Sequence, residues 1–502
     1  MKTSPFEIHY MAAGDHQKIM SDFTRSKMIE TGEKNQRSFF DFLIENLHLK
    51  SPVKLDSGPW GDLLTFDFQE HKSRRCFFVS LQALEDPTHV LSKLSDRVRF
   101  EDVILIAIPS FKYSALLKRR SWRNTLCEAL DKNGFHVCDR FALTPDPMSP
   151  QIIFDLQRHM LTYVETISHR RGDHFLKIAA KKAIIAILGT ISWDGWEILG
   201  LRKDKAGPFL PQIADRYLVL TPGREVALVF SSGRHLPVHV EKKGFLEDLK
   251  QEWQNHQWAT RHLGPAAPSL LGFFPEAAQA VMKMEYVPEK NLPNMVSETF
   301  FRRSRLEKLT LAVFDFFLSV FTRFCDAADG CIGIPDTAMQ AMTQKGLDFI
   351  PISGSRTSLR MHLEEVLLQN KFFLLPQHGD FCVRNVLFRN AEDMVLIDWE
   401  DFNPISLPLV DLNMLRISLA ETWDQLGGSG DNFLQTPIIE HKISDLRQII
   451  QKKLNLTDKD WQAYSLLSLA YLVGSNLTRN RMTTAGKIRD EFLRQVDSFD
   501  FK

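Results

Sequence analysis

The chain has 502 residues, 44% of them hydrophobic and 25% charged, a globular composition with material for two or three domains. Its 62 basic and 62 acidic residues cancel, which removes any global attraction to nucleic acid or to an anionic membrane surface and leaves only a local basic groove open. The cysteines (Cys76, Cys127, Cys138, Cys325, Cys331, Cys382) are scattered, with no CxxC pair or Cys/His metal spacing, which points to a reduced, cytoplasmic protein without structural zinc.

The N-terminus, MKTSPFEIHYMAAGDHQK, lacks the apolar core of a signal peptide. Residues 1–56 read as a polar extension with one amphipathic helix near Phe39–Leu47. From 57 to 205 strands and helices alternate. RRCFFVSLQAL (74–84) is a buried strand, EDPTHVLSKLSDRV a short helix, and EDVILIAIPS (101–110) has the continuous apolar run of a buried parallel strand. WRNTLCEALDKNGF is a helix stopped at Gly134. FHVCDRFALTP (135–145) alternates as a strand, a helical stretch follows, and GWEILGLRK (195–203) closes as a strand. The pattern predicts an α/β domain. Within the helical stretch, Ala183–Ile191 is the most membrane-like segment. Lys181 and Lys182 precede it, and it falls far short of the roughly 18–20 residues needed to span a bilayer. It reads as a buried or amphipathic helix, with docking on a membrane surface as the alternative.

AGPFLP (206–211) is a linker. YLVLTP (217–222), EVALVFSS (225–232) and LPVHVEK (236–242) follow as short strands, with turns at Pro222-Gly223 and Ser232-Gly233, an antiparallel meander. A helix, FLEDLKQEWQNHQWATRHLG (245–264), and two further strands, SLLGFF (269–274) and AVMKMEYV (280–287), complete this part. From about 300 the chain is helical except around 373–400.

The chemistry-bearing residues lie in QHGDFCVRNVLFRNAEDMVLIDWEDF (377–402). HxDxxxxN at His378–Asn385, the hydrophobics Val386-Leu387, and IDWE at Ile397–Glu400 resemble the aminoglycoside phosphotransferase/choline kinase superfamily over roughly residues 215–480. The resemblance implies a bilobal protein-kinase-like fold of the α+β class: an antiparallel five-stranded N-lobe (212–290) and a mostly helical C-lobe (291–502). It implies ATP, or another nucleoside triphosphate, with Mg²⁺ as cofactors. Transfer of a γ-phosphoryl group is mostly positioning and charge neutralisation. Asp380 is placed to accept or orient the acceptor's hydroxyl proton. Asn385 and Asp398 supply the hard oxygens that Mg²⁺ prefers. His378 supports the loop, and Asp411 in PISLPLVDL is structural. Arg384 is a large cation where the family commonly has a small residue; it meets a phosphate or an anionic acceptor, or else points to solvent. Cys382 has no base beside it and is no nucleophile.

On the nucleotide side the resemblance implies a phosphate-contacting lysine at the end of the third strand, paired to an acid on the next helix. Lys242 is preferred over Lys243, and Glu252 over its rival Glu247; a solvated charge run is the bland alternative. No GxGxxG is present, so Arg224 or the backbone around Gly223 is all that could cover the phosphates. Glu285-Tyr286-Val287-Pro288 resembles the hinge that meets adenine, with Met284 either lining the base pocket or simply core.

Residues 57–205 resemble the later part of a class I methyltransferase-like domain. No GxGxG follows a first strand, and the turn at Asp56–Gly61 has no convincing strand before it. S-adenosylmethionine is therefore not expected, and scaffolding or partner recognition is; an unrelated α/β domain is the alternative. The acceptor implied is a small molecule or glycan hydroxyl: a sugar, an amino alcohol or an aminoglycoside-like compound. Nucleic acid is not an expected partner, and no transmembrane segment is expected. A protein kinase fits less well, because IDWE replaces DFG and no APE segment is recognisable. The intact Asp380, Asn385 and Asp398 argue against a non-enzymatic pseudokinase scaffold, and the poor phosphate loop leaves that alternative open.

Overall fold

In the computed structural model, residues 54–58, 61–67, 75–80, 87–109, 116–144, 151–156, 158–164, 195–204, 215–221, 223–231, 236–288, 290–297, 302–328, 332–352, 357–369, 371–389, 393–425 and 433–498 are described. The helix expected near Phe39–Leu47, the segment Ala183–Ile191 and the linker 206–211 lie outside them. The protein is mixed α/β, with a large sheet and many helices, and divides into two compact units. One is Met1–Met160 with Ile185–Ala227; the other is Leu161–Ile184 with Leu228–Lys502. Among the described residues no helix is long and apolar enough to cross a membrane.

In the first unit, β1 (Lys54–Gly58) and β2 (Gly61–Asp67) form a hairpin, and β2 pairs antiparallel with β3 (Arg75–Ser80). Helix α1 (Pro87–Arg97) then crosses over to β4 (Val103–Pro109), which runs parallel to β3. After α2 (Leu116–Lys132) come β5 (His136–Thr144), β6 (Ile152–Asp155) and β7 (Trp196–Arg202). β7 inserts between β4 and β5, antiparallel to both. β6 pairs with β5 and with β8 (Arg216–Thr221). The apolar run of β4 is explained by its position inside the sheet, where Val103 to Ile108 are all buried. Leu91, Leu94, Leu126 and Leu130 of the two helices cover Phe77, Val79, Ile104 and Ile106. Gly134 ends α2 at φ 69°. Strand and helix alternate along β3–α1–β4–α2–β5, and β3–β4 is the parallel pair; the other pairings just given are antiparallel. Neither the hairpin β1–β2 nor the four-residue β6 has a clear signature in the sequence.

β9 (Arg224–Val229) lies where the chain passes from one unit to the other. In the second unit, β10 (His239–Phe245), α3 (Leu246–Leu263), β11 (Leu270–Glu276) and β12 (Gln279–Glu285) follow. β12 is flanked antiparallel by β10 and β11. The strand expected at 236–242 begins and ends three residues later, because Lys243, Gly244 and Phe245 continue the ladder to Val281, Ala280 and Gln279. Lys242 is therefore in mid-strand, not at its end.

The rest is largely helical. Its helices are α4 (Leu292–Ser297), α5 (Arg302–Ala327), α6 (Thr337–Phe349), α7 (Thr357–Gln369), α8 (Val410–Gln425), α9 (Pro437–Leu454), α10 (Asp458–Thr478) and α11 (Met482–Ser498). Short strands punctuate them: β13 (Lys290–Asn291), β14 (Ile332–Gly333), β15 (Phe372–Phe373), β16 (Leu375–Gln377), β17 (Val386–Phe388), β18 (Met394–Leu396) and β19 (Asn403–Ser406). α5 sends Phe314, Phe317, Phe321 and Phe324 into the core, and α10 sends Leu466, Leu469 and Val473. α10 opens on a capping box between Thr457 and Asp460. It crosses α6 at backbone contact. A Cβ built on Gly474 would lie 1.8 Å from the Met342 carbonyl oxygen, and one on Gly346 would lie 1.8 Å from that of Ala470.

Candidate active site

The loop 378–385 joins β16 to β17, and its shape follows from its two apolar side chains. Phe381 and Val383 are fully buried, with the Phe381 ring edge-on to Phe317 at 5.3 Å. The Val383 N–H donates to Ser418 Oγ at 3.1 Å. Strand-like alternation leaves Asp380 half-buried and Arg384 exposed. Gly379 has φ 81°, and a Cβ there would lie 2.2 Å from the Asp401 carbonyl oxygen, so both conformation and space demand glycine.

Asp411, in the first turn of α8, spends both carboxylate oxygens on this loop. The N–H groups of His378 and Gly379 donate to them at 2.7 and 2.8 Å. Burial raises the Asp411 carboxyl to about 6, against the opposing pull of His378 and the two amides. His378 is fully buried, and its Nε2 lies 3.0 Å from the Ile397 carbonyl oxygen. A carbonyl only accepts, so Nε2 carries the hydrogen and Nδ1 accepts from the Asp380 N–H at 3.3 Å. Both ring nitrogens are thus used in holding the loop.

Asn385 Nδ2 donates to the Asp380 backbone oxygen at 3.0 Å and to Asp380 Oδ2 at 3.1 Å. The Ile397 N–H donates to the Asn385 carbonyl at 2.9 Å, which brings the end of β18 beside the loop. The next residue, Asp398, has φ 67° and ψ 70°, a left-handed conformation uncommon outside glycine and found at functional turns. The 3₁₀ turn Trp399–Asp401 fixes it there. Trp399 is fully buried, packs edge-on to His378 at 4.7 Å and donates from Nε1 to the Leu396 carbonyl at 3.0 Å. From α3, Asn255 Nδ2 donates to the Trp399 carbonyl at 3.0 Å.

Lys242 completes the arrangement. Its Nζ donates to Glu252 Oε1 at 2.5 Å and to Asp398 Oδ1 at 2.8 Å. Burial alone would lower its pKa; Asp398 and Glu252 outweigh burial and hold the ammonium up at about 12. Glu252 is 1% exposed, whereas the rival Glu247 faces solvent. Lys243 points to the opposite face of the sheet from Lys242, as strand alternation requires. Cross-strand pairing puts Met282 and Met284 on the Lys242 face, and Met284 is buried there. Glu285 is tied to the start of β11, its Oε2 accepting from the Ser269 N–H at 3.0 Å, and Tyr286 is half-buried. The Asp380 carboxyl is raised above the usual carboxylate range by burial first, then by Asp401 and Asp398, against His378 and Arg481. Burial pushes the Cys382 thiol up to about 12, so it is no nucleophile.

Five of the residues singled out in the sequence therefore meet at one place: Lys242, Glu252, Asp380, Asn385 and Asp398. Arg384 is exposed, with its carbonyl accepting from Asn291 Nδ2 at 3.2 Å. Gly223 and Arg224 belong to the other unit. The structure adds Asn255, Asp401, Arg479 and Arg481, which carry no motif of their own. Arg479 Nη1 donates to Asp401 Oδ1, and Arg481 Nη1 lies 3.5 Å from Asp401 Oδ2.

His256, one residue on from Asn255, gives a test of this packing. Its Nε2 donates to the Pro268 carbonyl at 2.8 Å, and burial lowers its pKa from 6.5 to about 4. The folded state then binds fewer protons than the unfolded state between these values, so its stability contribution is present above pH 6.5 and is lost as pH falls toward 4. Asp411 acts with the opposite sign, its carboxyl being raised, but it is common to wild type and variant and cancels in their difference. His256→Gln is expected to remove an acid limb of about 3 kcal/mol at most. Urea titrations of both proteins at pH 7.5 and 4.5 measure it (about three pH units spanning the shift), and a pH-independent difference would refute it.

No protein-family model and no curated protein matches the chain. Among solved structures it is similar to the crystal structure of aminoglycoside-3'-phosphotransferase of type VIII, at 15% identity and TM-score 0.32, over 52% of this chain and 89% of that chain. It is also similar to the apoenzyme of macrolide 2'-phosphotransferase MphH from Brachybacterium faecium, at 14% identity and TM-score 0.28, over 55% of this chain and 88% of that chain. The methyltransferase resemblance of residues 57–205 finds no support in these comparisons. The antiparallel hairpin β1–β2 also stands where a cofactor-binding Gly-rich turn between strand and helix would be needed.

Proposed function

We propose that residues 212–502 form a phosphotransferase that moves the γ-phosphoryl group of ATP, or another nucleoside triphosphate, to a hydroxyl of a small molecule or glycan. The observation that carries this reading is the single cluster in which Lys242 bridges Glu252 and Asp398 while Asn385 holds Asp380 beside them. In the reaction the acceptor oxygen bonds to the γ-phosphorus, the bond to the β-phosphate oxygen breaks, and the hydroxyl proton passes to Asp380. The raised pKa of Asp380 makes it a better proton acceptor than an ordinary carboxylate. Lys242, held by Glu252, would meet the nucleotide phosphates as a fixed cation.

Asn385 and Asp398 suit Mg²⁺. The Asn385 amide nitrogen is occupied by Asp380, which leaves Oδ1 as the outward donor, and the Asp398 carboxylate is 42% exposed. A bound Mg²⁺ would neutralise charge on the phosphates. Met284, Glu285 and Tyr286 are assigned to the adenine side, and Arg384 remains an outward cation of the loop. Residues 57–205 are assigned no cofactor, and the smaller lobe of this reading spans 212–290.

Calorimetric titration of the full chain with ATP, with and without Mg²⁺, tests the reading. Wild type should bind only with Mg²⁺, and Lys242→Ala should bind about 10–100-fold more weakly, the loss of one charge-assisted contact. Absence of Mg²⁺-dependent nucleotide binding in wild type would refute it and favour a scaffold.

A further inference from the structure

We infer that the hydroxyl acceptor carries an oxyanion, a phosphate or a carboxylate, which Arg481 recognises together with Arg479 at the edge of the catalytic loop; this rests on the phosphotransferase reading above. The position comes from Asp401. Its carbonyl oxygen abuts Gly379, the residue before Asp380, so closely that no Cβ fits between them. The Asp401 side chain in turn gathers Arg479 and Arg481. The two guanidinium groups are thereby tied to the segment that lines the reacting carboxylate.

Arg481 is the looser of the two, because Arg479 takes the shorter bond to Asp401. Arg481 stands 3.5 Å from Asp401, beyond the usual N–H···O range, and its side chain is 46% exposed. Its carbonyl accepts the first helical bond of α11, from the Ala485 N–H at 3.0 Å, so the positive end of that helix opens on the same residue. An ion pair this exposed contributes little to folding. A half-exposed guanidinium fork fits a phosphate or carboxylate in two-point contact, and disfavours a cationic amine at the same place.

The decisive experiment uses the full chain saturated with Mg²⁺ and a non-hydrolysable ATP analogue, titrated calorimetrically with inorganic phosphate. Wild type should bind phosphate saturably, and Arg481→Glu should weaken that binding about tenfold or more. Arg481→Gln should fall between them. No saturable binding, or equal binding by wild type and Arg481→Glu, would overturn the inference. A turnover assay separates the sources of the anion by comparing a neutral hexose, its 6-phosphate, the hexuronic acid and the amino sugar (~four matched probes of charge). The phosphate or the acid should be preferred through KM, with that preference lost in Arg481→Glu. Preference for the amine or the neutral sugar would count against it. Failure of the nucleotide itself to bind removes the phosphotransferase reading, and this inference with it; normal nucleotide binding with no anion effect removes this inference alone.

Discussion

Asp380→Asn is expected to lower phosphoryl transfer by about 10²–10⁴-fold, the range for loss of a positioned general base. The variant should keep its fold. The amide oxygen introduced there can still accept from Asn385 Nδ2, and the loop is held independently by Asp411, Phe381 and Val383. Burial and two neighbouring carboxylates raise the Asp380 pKa, so the wild-type charge is a cost to the folded state. The unfolding midpoint of the variant should therefore equal or slightly exceed that of wild type while turnover collapses, a trade of stability for function. Steady-state kinetics beside thermal unfolding measures both. A variant that turns over normally, or one that loses activity only by unfolding, would remove Asp380 from its role. The wild-type rate should rise with pH as this group loses its proton, above the pH at which an ordinary carboxylate would do so.

Gly474→Ala is expected to be the most damaging small substitution in the helical region. The added methyl would fall 1.8 Å from the Met342 carbonyl oxygen and 3.1 Å from the Gly346 amide nitrogen. Backbone cannot yield as a flexible side chain does, so α6 and α10 would have to separate along their whole contact. Overpacking and lost burial together make a cost of about 3–5 kcal/mol or more. Gly346→Ala meets the same barrier from the other helix, at Ala470. Because either change alone forces the helices apart, the double variant should cost much less than the sum. Urea unfolding of the three variants tests this. Losses below about 1 kcal/mol, the ordinary helix-propensity range and favourable for Gly→Ala, would mean the crossing is looser than it looks.

The part of the site that chemistry fixes by residue type could be read directly. Asp380, Asn385 and Asp398 stand at a spacing that one loop and the following hairpin convert into proximity, since Val386 pairs with Leu396. Lys242 and Glu252 were legible as a strand–helix pair, but the end of β10 was not: Lys243-Gly244-Phe245 looks like a turn and continues the ladder. Asp401, Arg479 and Arg481 could not be read, because 78 and 80 residues separate the partners and neither segment carries a periodic signal. Gly346 and Gly474 each look like an isolated weakness inside a helix; their meaning exists only as a pair. In the first unit, β4 declared itself by apolar content and β5 by alternation, whereas β1 (Lys-Leu-Asp-Ser-Gly) has too few apolar positions to announce a strand.

Helix α3 carries Glu252 and Asn255 three positions apart, hence on one face. The first anchors Lys242 and the second anchors the turn behind Asp398. The two sides of the catalytic cluster therefore hang from a single rigid rod. A rotation of that rod would be felt at both anchors, because both contacts leave the same face of the helix.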